Sequence, residues 1–235
     1  MSKIIMILVS TSIFACSCVS NSSSPLAAKK SLLSAYERHL CDSLGIDSSI
    51  ILDIRTQTDS SIRPFPANLD DLPSKDSSVD GAKEKLHGFL FNTDHTATED
   101  IINSLYNDLH HKGYTIFTYD KYFGFSRNPD LVGVLSSVNK YEILRRVGTD
   151  GINFNIDNDS LLHVIKKFDE KYSLQLISAG VDWCEFSIHN PHVDWAQLAN
   201  EAYKVCPDIV EQGTGTVEKL AGEMKKTGRL YFWWD

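Results

Sequence analysis

An excess of positive charge is the first thing this chain lacks. Its 23 Lys and Arg face 31 Asp and Glu, a formal net charge of -8. The basic residues are scattered and form no stripe, which argues against nucleic acid and against anionic membrane surfaces as partners of the folded surface. Long apolar runs are missing as well. Ile4 to Val9 is far too short to span a bilayer as a mature helix. Cysteine is sparse, five in 235 residues, and no CxxC pair occurs. No lysine of the phosphate-loop kind follows the glycine-rich turn Gln212-Gly213-Thr214-Gly215-Thr216, and the dinucleotide-binding glycine spacing is absent. No cofactor and no metal is expected. What is present is an ordinary globular composition, 42% hydrophobic and 23% charged. A chain of this length buries a real core in one large or two small domains.

The N-terminus has a logic of its own. Lys3 precedes the apolar run Ile4 to Val9, and Ser10 to Ala15 leads to Cys16. A positive residue, a short apolar core and a small residue at the break mark a secretory signal. Ile13-Phe14-Ala15-Cys16 resembles the bacterial lipoprotein signal, in which the cysteine is lipidated and becomes the first residue of the mature chain. Phe14 is bulkier than the usual occupant, and Cys18 is a second candidate. The alternative is a buried cytosolic helix or strand. Ser17 to Pro25, rich in Ser and Asn, favours a tether. The expectation is a signal over residues 1–15, a tether over 16–26 and a lipid anchor on Cys16, which places the protein in a bacterial cell envelope at the membrane. Four cysteines then remain, Cys18, Cys41, Cys184 and Cys206; disulfides are permitted, with three possible pairings.

Periodicity organises the rest. Ala27 to Leu44 reads as a helix with Leu32, Leu33, Tyr36 and Leu40 inward and Gly45 as its stop. Ile50 to Ile54 reads as a strand. Thr56 to Asp80, with Pro64, Pro66 and Pro73, reads as a loop or linker. The segment 27–84 is thus an N-terminal helix, a strand and a linker. From residue 85 the pattern is regular. Leu86 to Asn92 is a strand, and a helix runs to His111 from Thr96 or Thr98, with Thr96 and Glu99 at capping-box spacing. Tyr114 to Tyr119 and Leu131 to Leu135 are strands, and Asn139 to Val147 is a short helix stopped by Gly148. The same order then recurs: strand-like Gly151 to Ile156, helix Ser160 to Tyr172, strands Ser173 to Ser178 and Val181 to Ile188, and a helix from the cap Asp194 to Val205. A further helix, Val217 to Met224, and a strand, Leu230 to Trp234, close the chain. The fold class is α+β, a two-layer α/β sandwich. Two ferredoxin-like β-α-β-β-α-β units in tandem, residues 85–150 and 151–235, fit this order.

Chemistry-bearing residues gather toward the C-terminus. Cys206 precedes Pro207 at a helix end, where the helix dipole disfavours a thiolate. A buried structural thiol is the plain reading; a disulfide, catalysis and metal binding are the others. Asp182, Glu185, His189, His192 and Asp194 form a polar cluster that matches no closed zinc spacing. Alternation sets Asp182 and Glu185 on different faces, so a solvated turn is the plain reading. Trp233 and Trp234 face opposite ways on a strand. Trp183 and Trp195 can join one of them in an aromatic wall. Core packing competes there with a candidate pocket formed by Asp208, Glu211, Gln212 and Trp233.

Cys206-Pro207-Asp208-Ile209-Val210, Gln212-Gly213, Gly215-Thr216, Leu220-Ala221 and Trp233-Trp234-Asp235 together resemble the signature of the domain of unknown function family DUF4253. Lys167-Phe168-Asp169-Glu170-Lys171-Tyr172, Ala179 and Glu201-Ala202-Tyr203 fit the same resemblance. It is clear over Gly151 to Asp235 and looser back to Leu86. It implies no mechanism, and the lipoprotein-like leader departs from the family pattern. Three functional expectations follow. The first is an envelope lipoprotein whose DUF4253-like domain binds a protein or a small ligand. The second is a hydrolase or transferase using Asp208, Glu211 and Gln212. The third is an immunity-like or structural interaction protein with an apolar patch of Tyr122, Phe123 and Phe125.

Overall fold

The computed structural model describes residues 32–66, 86–121 and 129–234. The leader, Cys16, the tether, residues 27–31 of the first expected helix, linker residues 67–85, the patch of Tyr122, Phe123 and Phe125, and Asp235 lie outside the described residues.

The first described helix, α1 (Ala35–Leu44), opens on a capping box. The Ser34 hydroxyl accepts from the Glu37 N–H at 3.1 Å, and the Glu37 carboxylate accepts from the Ser34 N–H at 2.7 Å. This start lies beyond the expected one and leaves Leu32, 82% exposed, outside the core. Gly45 ends α1 in the left-handed conformation. Where a strand was expected over Ile50 to Ile54, a helix stands, α2 (Ser48–Arg55). Asp47 caps it, accepting from the Ser49 N–H at 2.7 Å. Ile50, Ile51 and Ile54 then share one helical face, all fully buried. A short apolar run reads equally as strand or helix, and here the cap decides.

The remaining elements are β1 (Ile62–Pro64), inside the segment expected to be a loop, then β2 (Gly88–Thr93), α3 (Thr98–His111), β3 (Thr115–Asp120), β4 (Asp130–Leu135) and α4 (Lys140–Val147). After a 3-10 turn (Ile152–Phe154) follow α5 (Asn158–Tyr172), β5 (Leu174–Ala179), β6 (Trp183–Ile188) and α6 (Trp195–Val205). A π turn (Ile209–Thr214), α7 (Val217–Thr227) and β7 (Arg229–Trp233) complete the chain. The cap Asp194 and the stop Gly148 act where the sequence places them, and Asn139 and Thr216 cap α4 and α7. The box of Thr96 and Glu99 does not form. Asp94 takes the Thr96 N–H and hydroxyl at 2.9 and 2.6 Å, and Glu99 pairs with Arg229 instead. A local bond to Asp94 and a tertiary partner, Arg229, take the two groups the box needs.

All the described strands join one seven-stranded sheet in the order β1-β2-β4-β3-β5-β6-β7. Every pairing is antiparallel except β3 with β5. The fold is α+β, and two discrete ferredoxin-like units do not emerge. Gly151 to Ile156, expected as a strand, turns back on itself, with Gly151 bridged to Ile156 and Asn155 left-handed. The reversal consumes the backbone groups a strand would offer the sheet. Gly151 also lies against Trp234, where a Cβ would stand 2.9 Å from the indole.

Two cores flank the sheet. The larger lies under α4 to α7 and takes Leu90, Phe117, Leu135, Leu176, Phe186 and Phe232 from the strands. The other lies under α1 to α3 and takes Ile62, Phe89, Phe91, Ile116, Val132 and Val134. It has no member from β5, β6 or β7. The first half of the molecule therefore has three layers, and only the second half has the expected two.

Candidate functional site

The join between the half-sheets positions the site. β3 and β5 run parallel but share a single registered pair, Thr118 with Ser178. Below that pair the strand starts separate, and a cleft of about 230 Å³ lies between them. It draws Tyr106 and His110 from α3, Thr115 from β3, Val138 and Lys140 from the start of α4, and Leu174, Gln175 and Leu176 from β5. Leu174 and Leu176 send their side chains into the larger core, so the strand meets the cleft mainly with its backbone edge. Tyr106 and His110, one helical turn apart, stack with centroids 5.5 Å apart. Gln175 Oε1 lies 2.8 Å from His189 Nε2, which orients its amide.

Asp169, near the end of α5, holds two of the residues that line the cleft, Lys140 and Leu174. Its Oδ1 accepts from the Leu174 N–H at 2.8 Å, on the strand edge away from β6. Its Oδ2 accepts from Lys140 Nζ at 2.6 Å and from the Tyr141 hydroxyl at 2.5 Å. Burial pushes the Asp169 carboxyl up, but these three donors outweigh it and hold it below the usual carboxylate range. Burial, with the Asp169 carboxylate beside it, raises the Tyr141 phenol.

A second polar group lies on the sheet face that the smaller core leaves bare. Glu185, buried on β6, accepts from Arg229 Nη1 at 3.1 Å, and Lys121 Nζ stands 3.8 Å away. The Ser178 hydroxyl donates to it at 3.4 Å. Arg229 also pairs with Glu99 of α3. Burial opposes the guanidinium charge, yet Glu185 and Glu99 raise its pKa on balance. Beside this group Trp183 packs near Tyr231, centroids 6.3 Å apart, and stands opposite Trp233 in register. Trp195 packs against the larger core on the other face.

The four residues of the expected C-terminal pocket are spread over different settings. Asp208 is buried before the π turn. Glu211 and Gln212 are exposed on it, and Glu211 accepts from the Tyr203 hydroxyl at 3.1 Å. The Trp233 indole belongs to the opposite sheet face from Phe232 and Trp234, which join the larger core. Only the Trp233 backbone reaches this region. The Cys206 thiol donates to the Trp233 carbonyl at 2.8 Å and accepts from its N–H at 3.4 Å. The thiol thus occupies the bonding position of a missing neighbour strand and covers the β7 edge. Burial pushes the Cys206 pKa up to about 11. Cys41, Cys184 and Cys206 are free buried thiols. In the expected polar cluster, Asp194 caps α6, His192 donates its N–H to Asn190 at 2.9 Å, and Asp182 gives its carbonyl to the Trp234 N–H at 3.0 Å. Among the described residues no three His, Cys, Asp or Glu side chains gather as a metal set.

Sequence reasoning did not single out Tyr106, His110, Lys140 or Gln175 as site residues. One signal was available for the first wall. Tyr106 and His110 are four apart and sit beside, not on, the buried stripe of Ile102, Leu105 and Leu109.

Fold and site define an α+β protein on one mixed sheet with a small cleft at its joint. Residues 131–235 match the family model DUF4253, a domain of unknown function. The match holds most of β4 and everything from α4 to β7, and so includes Val138, Lys140, Asp169 and Gln175 of the site. Tyr106, His110 and Thr115 lie before it. No curated protein and no solved structure matches the chain.

Proposed function

We propose that this is a bacterial envelope lipoprotein, anchored through lipidated Cys16, whose DUF4253-related fold binds a small ligand in the cleft between β3 and β5. One observation carries the binding part. The cleft is lined by residues from both half-sheets and from helices on both faces, and such joints between structural units are places where small ligands bind. The polar groups around it are held by neighbours rather than poised for proton transfer: Lys140 and Tyr141 by Asp169, and Gln175 by His189. That suits recognition better than hydrolysis or group transfer. The leader at Lys3 to Cys16 and the Ser-rich tether support the envelope address.

Val138 at the rim is 48% exposed, so Val138→Trp fills the cleft without entering the core. A small-molecule panel screened by thermal shift on the mature chain is expected to yield compounds that raise the wild-type Tm and leave the variant's unchanged. Compounds whose shifts all survive Val138→Trp would place binding elsewhere and end the proposal. For the address, Cys16→Ser is expected to move the protein out of the membrane fraction; an unchanged distribution would refute the anchor.

A further inference from the structure

We infer that the cleft takes a small aromatic carboxylate of one ring. This inference rests on the cleft being the ligand site. Three features converge on that class. The first is size: about 230 Å³ is below the roughly 300–1,000 Å³ of drug-sized sites, so a single ring with one substituent fits and a nucleotide or peptide does not. The second is the wall. The stacked pair Tyr106 and His110 offers aromatic surface to a planar ring, which prefers offset or edge contacts with such a pair. Half-exposed Val138 adds an apolar rim.

The third is charge. In a chain of net charge -8, the one formal charge among the lining residues is the Lys140 ammonium. An ammonium has three hydrogens to donate, and Asp169 takes one of them at 2.6 Å. Asp169 shares its two oxygens with Tyr141 and Leu174 as well, so it anchors Lys140 while its own charge is met by three donors. An incoming carboxylate completes the ammonium's shell with a charge-assisted hydrogen bond. The Gln175 amide, its oxygen engaged by His189, retains its NH2 as a neutral donor.

The test compares charged and neutral twins on the mature full-length chain, by ligand-observed NMR with titration. Benzoate and nicotinate are set against benzamide and nicotinamide. The expected result is saturable binding of the acids, tighter than the amides. Lys140→Met is expected to weaken the acids about tenfold or more and leave the amides unchanged. Should that variant fold poorly, wild-type protein still decides: acid affinity is expected to fall as salt is raised, and amide affinity is not. Acids and amides that bind alike, with no salt dependence, would overturn the carboxylate class while leaving the cleft as a ligand site. Failure of all four to bind, alongside panel compounds that do bind in the cleft, would overturn the class as well. Binding of any of them unaffected by Val138→Trp would instead overturn the cleft reading itself.

Discussion

Asp169 ties three elements together with one carboxylate: α4 through Lys140 and Tyr141, β5 through the Leu174 N–H, and its own helix α5. Its carboxyl is held below the usual range, so the stabilisation is fully present above the ordinary carboxylate value near pH 4. It is lost as pH falls through the depressed folded value. Asp169→Asn is expected to cost about 1–3 kcal/mol at neutral pH and less at pH 3. Urea melts at the two pH values check this, and an equal cost at both would contradict it. Cys206 behaves in the opposite sense. Its folded pKa of about 11 lies above that of an ordinary thiol, so its contribution is present below the ordinary value and is lost as pH rises toward 11. Native protein is expected to leave Cys206 unlabelled by iodoacetamide at pH 8, with labelling appearing only on unfolding.

At the scale of elements, β7 separates two tryptophans that are neighbours in sequence. Trp234 is 1% exposed and stacks on Phe232 with centroids 5.7 Å apart, while the Trp233 indole is half-buried on the other face. Trp234→Ala is expected to cost about 3–5 kcal/mol, as for other fully buried aromatics. Trp233→Ala is expected to cost clearly less, because its backbone bonds to Cys206 survive the change. Comparing the two denaturation midpoints tests the alternation directly. Gly151→Ala is expected to destabilise by about 1–3 kcal/mol, since the new methyl meets the Trp234 ring at 2.9 Å. The helices show how far local sequence reaches. Asp194 caps from within its own turn and was legible. Thr96 and Glu99 had the same spacing but lost their bonds to Asp94 and Arg229.

Over the whole molecule, the two half-sheets meet at one backbone pair and are held by side chains across the joint. Glu185 and Arg229 belong to the second half; Lys121 and Glu99 reach them from the first. Arg229→Met leaves the buried Glu185 carboxylate with Lys121, 3.8 Å away, as its cation partner, whereas Glu185→Gln leaves Arg229 paired with Glu99. The arginine variant is therefore expected to be the more destabilised, approaching the ~3–5 kcal/mol typical of a broken buried pair. Hydrogen exchange is expected to rise in both β3 and β5 of that variant, because the lost contacts span the joint. A rise confined to β7 would show that the ion group does not couple the halves.

Within the described residues, the sequence alone determined most of the elements from β2 onward, their caps and stops, the alternation of Trp233 and Trp234, and the buried state of Cys206. These follow from periodicity and from contacts within one helical turn or one strand pair, which act over a few residues. The tertiary structure decided the rest. It made Ile50 to Ile54 a helix and Gly151 to Ile156 a turn, and it merged two apparent units into one sheet. It also assembled the cleft, whose walls come from residues 106 to 176. Lys140 and Gln175 carry no mark in sequence because each is ordinary on its own element, and Tyr106 carries only its spacing from His110. They form a site only where β3 and β5 part below Thr118 and Ser178, and that separation is a property of the packed sheet.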